Sequence, residues 1–124
     1  MSAKPDSTGS EKVIVIDDSQ ILRQQVASIL HGGGYAVVEA SDGIEGLEAV
    51  EQNPDAVLVL CDINMPRMNG LEFLAALREK KLDRIPVLVV TTEGHPQLID
   101  QARKRGARGW LIKPLKADLL LAAT

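Results

Sequence analysis

The chain has a single cysteine, Cys61, so no disulfide can close within it. The place of that cysteine inside an apolar run favours a buried thiol in a reducing compartment. A basic surplus is missing too: 14 Lys and Arg stand against 17 Asp and Glu, a formal charge of -3 at pH 7. That balance argues against a dedicated nucleic-acid binder, since such domains are usually basic. No apolar run approaches the length that spans a membrane, and Met1 to Ser10 lacks the hydrophobic region of a signal peptide. Internal repeats and low-complexity segments are absent as well. With 124 residues, the size expected of one domain with a real core, the expectation is a cytoplasmic protein that contacts neither membrane nor nucleic acid.

The charge that is present is unevenly spread. Between Gly32 and Pro66 there are seven acids and no Lys or Arg, whereas from Gln97 onward six basic residues face only Asp100 and Asp118. Residues 1–11 are small and polar with Pro and Gly, and are expected to form a disordered tail before a single domain at 12–124.

The most informative stretch is Val57-Leu58-Val59-Leu60-Cys61-Asp62, which ends abruptly in a carboxylate. A short Val- and Leu-rich run without alternation predicts a strand buried on both faces, typical of a central parallel strand. Val13-Ile14-Val15-Ile16 is a second such run and ends in Asp17-Asp18. Further strands are predicted over 35–40, 87–91 and 110–112, with Pro86 opening the fourth where a missing amide is tolerated. Helices are predicted between them. Ser19 caps the first, with Leu22, Val26 and Ile29 on one face and Gly32-Gly33-Gly34 at its end. The second covers 43–52, with Ile44 and Leu47 inward and Glu45, Glu48 and Glu51 outward. Asn69 caps the third, over 71–80, with Leu74 and Leu77 toward the sheet. The last two cover 96–105 and 116–123.

Strands alternating with helices mean βαβ crossovers, hence an α/β fold: a doubly wound five-stranded parallel sheet with helices on both faces. In such sheets ligands bind at the carboxyl ends of the strands. Asp17, Asp18, Asp62, Thr91 and Lys113 all fall at those ends. Each alone has an ordinary explanation: a helix cap for Asp18, a strand hydroxyl for Thr91, a solvated turn for Lys113. Their joint placement on one rim favours a functional site.

Asp17-Asp18, Asp62 with Asn64-Met65-Pro66 and Asn69-Gly70, Thr91, and Lys113-Pro114 together resemble the receiver domain of two-component response regulators. The likeness covers residues 12 to about 121. Within that family the chain is most similar to the single-domain, CheY-type chemotaxis receivers, on account of Asn64 and Glu93. The resemblance implies the flavodoxin-like strand order 2-1-3-4-5. It implies that Asp62 is the phosphoacceptor, taking a phosphoryl group from a histidine kinase, with Lys113 and Thr91 assisting, and that the chain is not an enzyme beyond its own phosphorylation and dephosphorylation. A cluster of aspartates repels itself and calls for a hard cation with oxygen ligands, Mg²⁺. Asp18, Asp62 and the Asn64 backbone carbonyl would be direct ligands, with Asp17 acting through water. The resemblance further implies a switch made of Thr91 and Trp110, a cis Lys113-Pro114 peptide, and tuning of dephosphorylation by Asn64 and Glu93.

The expected output is a monomer whose face formed by the fourth helix, fifth strand and fifth helix binds a target protein. The bases Arg103, Lys104, Arg105, Arg108 and Lys116 suggest an acidic, amphipathic target segment. Two departures from the family stand out: Asn69 occupies a place usually held by Asp, and the last helix is short. Three alternatives stay open: a receiver cut from a longer regulator, a receiver-shaped interaction module that is no longer phosphorylated, and a phosphatase of the haloacid dehalogenase type. That phosphatase wants an acid two residues after its nucleophile, where this chain has Asn64. Cys61 is expected to be packing only, and His31 and His95 to be solvated or capping.

Overall fold

A computed structural model describes residues 10–65, 67–92, 96–113 and 115–124, apart from the side chain of Leu119. The expectations for the tail, for Glu93, for His95 and for the Lys113-Pro114 peptide lie outside these residues wholly or in part. Among the described residues strands and helices alternate: β1 (Lys12–Ile16), α1 (Gln20–Gly32), β2 (Ala36–Ala40), α2 (Gly43–Gln52), β3 (Leu58–Asp62), α3 (Gly70–Glu79), β4 (Val87–Thr91), α4 (Pro96–Lys104), β5 (Gly109–Ile112) and α5 (Ala117–Ala123). The strands form one parallel sheet in the order β2-β1-β3-β4-β5.

Alternation along each strand sends neighbouring side chains to opposite faces, and the two cores follow from it. Ile14, Ile16, Val59, Cys61, Val87 and Val89 pack under α2, α3 and α4 with Leu47, Phe73 and Leu77. Val13, Val15, Leu58, Leu60 and Val90 face the other way and meet Val26, Leu30 and Leu120 of α1 and α5. All five residues of β3 are buried, which is why its sequence shows no polar alternation.

Local chemistry sets the helix starts. Ser19 accepts from the Leu22 amide, and Asp42 from the Glu45 amide. Asn69 and Glu72 form a reciprocal capping box at the head of α3, with both bonds at 2.9 Å. One inward assignment on α2 is corrected: Ile44 is 38% exposed, while Gly43, Gly46, Leu47, Ala49 and Val50 are buried. The inner stripe of α2 runs through two glycines, so the backbone itself approaches Ile16 and Phe73 at Gly46. A pattern read only from large apolar side chains finds Leu47 but misses the glycine part of that stripe.

Candidate functional site

Strand register builds the rim. Ile16 pairs with Cys61 across β1 and β3, so Asp17 and Asp62 follow side by side where the strands end. Asp62 lies beside Val90, and Thr91 beside Ile112. The Lys113 amide then donates to the Thr91 carbonyl at 2.8 Å, bringing the lysine back over the acids.

The Lys113 ammonium lies 3.0 Å from Asp17 Oδ2 and 3.2 Å from Asp62 Oδ2. The other Asp17 oxygen accepts from the Ser19 amide at 2.9 Å, and Asp62 Oδ1 from the Asn64 amide at 3.4 Å. Asp17, Asp62 and Thr91 are buried, while Asp18 and Asn64 are exposed. Carboxylate oxygens of Asp17, Asp18 and Asp62 lie within 4.8 Å of one another. An all-oxygen donor set this close and this negative fits a hard divalent cation, which keeps several waters of its own.

Electrostatics point the same way. Burial raises the Asp62 pKa, and Asp17 adds to the rise, against the opposing pull of Lys113; the carboxyl ends above its ordinary value. Burial alone would lower Lys113, but Asp17 and Asp62 outweigh it and raise its pKa. A cavity of about 400 Å³ adjoins the rim, its walls joining Val15, Leu22, Val26, Leu60, Val90 and Leu115 to Asp17, Asp62 and Lys113.

Trp110 lies on β5, 43% exposed, with the Arg103 guanidinium carbon 6.0 Å from the ring centroid. It stands apart from the acidic cluster, on the edge strand. Two residues bear on the site without a strong sequence signal. Arg23 donates to the Asp17 carbonyl at 2.6 Å and to Glu39 at 3.1 Å, fixing the end of β1 against β2. Arg67 donates to Asp42 at 2.6 Å, a pairing across 25 positions that no local pattern announces. Burial pushes Cys61 well above the ordinary thiol range, with Asp62 and Asp17 adding to it, so this cysteine is packing and not chemistry.

The fold and the rim together define the class. The chain belongs to the response regulator receiver domain family, whose model matches residues 13–124. It is similar to the chemotaxis protein CheY homolog of Campylobacter jejuni, 36% identical over 111 residues that cover 88% of this chain and 85% of the relative. Among solved structures it is similar to the chemotaxis protein CheY4 of Vibrio cholerae, with a TM-score of 0.86 and 36% identity over 93% of this chain and 96% of that one. It is also similar to a chain in the CheX-CheY-BeF3-Mg²⁺ complex from Borrelia burgdorferi, with a TM-score of 0.84 and 28% identity over 94% of this chain and 88% of that one. The chain is thus a CheY-like receiver. Among the described residues no helix is long and apolar enough to cross a membrane.

Proposed function

We propose that this receiver accepts a phosphoryl group on Asp62 from the phosphohistidine of a histidine kinase, in a chemotaxis-type relay. The observation that carries the reading is the Lys113 ammonium within 3.2 Å of both Asp17 and Asp62, beside the Asp18 carboxylate. An Asp62 oxygen attacks phosphorus, the P–N bond breaks, and the imidazole leaves with the electron pair. Lys113 then turns from the carboxylates to an equatorial oxygen of the transferred group, and the Thr91 hydroxyl meets another. Such transfer depends mainly on positioning and charge neutralisation. Asp17, Asp18, Asp62 and the Asn64 carbonyl would hold Mg²⁺, which supplies positive charge against the phosphoryl oxygens. The complex from Borrelia burgdorferi, with BeF3 and Mg²⁺ in its description, supports the reading by likeness.

By likeness to CheY-type receivers, Asn64 and Glu93 would set the lifetime of the acyl phosphate. Replacement of both by apolar residues is expected to lengthen it. The signal leaves through Thr91 and Trp110 to the face of α4, β5 and α5. There Arg103, Lys104, Arg105 and Arg108, all exposed, favour an acidic target segment, chiefly by speeding encounter. The deciding experiment is incubation with acetyl phosphate and Mg²⁺ followed by intact mass measurement. One labile phosphoryl group, absent in Asp62→Asn and absent with chelator, is the expected result. A stable adduct, or one that persists in Asp62→Asn, refutes the assignment.

A further inference from the structure

Among the described residues the loop from Asp62 to Gly70 is pinned at two places. At its downstream end Gly70 closes on the strand: its amide donates to the Ile63 carbonyl at 2.9 Å, and a Cβ there would lie 2.6 Å from the Asp62 carbonyl oxygen and 2.9 Å from the Ile63 Cα. The second pin is Arg67. Its backbone has φ 63°, the left-handed region that side-chain-bearing residues rarely adopt, and its guanidinium is thereby delivered to Asp42 at the head of α2. Asp42 is 4% exposed and uses both oxygens, one for the Glu45 amide and one for Arg67. Burial would raise its pKa, but the Glu45 amide and Arg67 outweigh that and hold it below the usual carboxylate range. Beside the pair, the Gly43 amide donates to the Met68 carbonyl at 3.1 Å, and a Cβ at Gly43 would come within 2.9 Å of Met68 atoms.

A strained arginine held by a buried carboxylate from another element is more than a surface ion pair, which contributes little. Strain of this kind persists where the surroundings enforce it, and it clusters at functional loops. We infer that Asp42 and Arg67 are a pair of positioning residues: they latch the β3–α3 loop to α2 and thereby place the Asn64 carbonyl for the cation that Asp17, Asp18 and Asp62 would hold. The inference rests on the receiver reading of the site and adds to it two residues that touch neither the cation nor the phosphoryl group.

The test uses the full chain with Asp42→Asn, Arg67→Gly and the double variant. Asn keeps an oxygen for the Glu45 amide but drops the charge, and Gly relieves the positive φ while removing the latch. Hydrogen exchange at the amides of Asn64, Met65, Met68 and Asn69 is measured in the metal-free chain, and the Mg²⁺ dissociation constant by calorimetry. The expected result is faster exchange in both single variants and Mg²⁺ binding weakened about tenfold, the usual effect of losing a group that orients a metal ligand. The double variant is expected to be no worse than either single one, because the pair acts as a unit. Exchange at the β1 and β3 amides that stays unchanged in both single variants separates this from general destabilisation. Unchanged exchange, unchanged Mg²⁺ affinity in the single variants, or fully additive losses overturns the latch. If the unaltered chain binds no Mg²⁺, the receiver reading falls together with the inference, and that control tells this outcome from failure of the latch alone.

Discussion

At the scale of single residues, Asp62 is held in a condition that the fold does not favour. Burial and Asp17 raise its pKa more than Lys113 lowers it, so the folded chain binds this proton more tightly than the unfolded chain does. Stability linked to Asp62 is therefore fully present below the ordinary value of 3.8 and is lost as pH rises through the folded value. Asp62→Asn removes the ionisation, and its thermal midpoint at pH 7 is expected to exceed that of the unaltered chain. The gain should shrink toward pH 3, where Asp62 is itself neutral, and should narrow when Mg²⁺ supplies the missing countercharge. Calorimetric scans at the two pH values check this; a lower midpoint for Asp62→Asn at pH 7 contradicts it. Cys61, fully buried one position earlier, is expected to resist an aromatic disulfide reagent in the native chain and to react in one equivalent only when the chain is unfolded.

At the scale of elements, caps and close approaches fix the loop that carries the site. Asn69→Ala removes half of the capping box and is expected to cost about 1 kcal/mol in urea denaturation. Gly70→Ala is expected to cost more, because its Cβ would meet backbone atoms of Asp62 and Ile63, which cannot swing aside as the Ile16 side-chain tip near Gly46 can. The elements themselves were legible in the sequence wherever side-chain pattern decides them. The predicted strand over 87–91 matches β4 residue for residue, and the buried β3 was readable from its unbroken run of Val and Leu. The acids and the lysine of the rim were legible because strand ends follow from those runs. Ile44 was misplaced since glycines carry no hydrophobic signal, and the pairs Arg67–Asp42 and Arg23–Glu39 were invisible because only the folded chain brings those partners together.

At the scale of the whole molecule, the sheet separates a large core under α2, α3 and α4 from a smaller one under α1 and α5. The smaller core is closed at α5 by Leu120, 1% exposed. Leu120→Ala is expected to cost about 2–5 kcal/mol, and native-state hydrogen exchange should show α5 and α1 losing protection before α3 does. Exchange that accelerates uniformly over both faces would contradict that division. Among the described residues the rim above both cores sets the carboxylates of Asp17, Asp18 and Asp62 against the Lys113 ammonium, and that imbalance dictates an order of events for the proposed reaction. A phosphodonor arriving as a dianion is repelled while the imbalance stands, and admitted once a divalent cation has cancelled it. Under the proposed reaction the protein would behave as a coincidence detector, in which a kinase's message is written only on those copies that the cation has already visited.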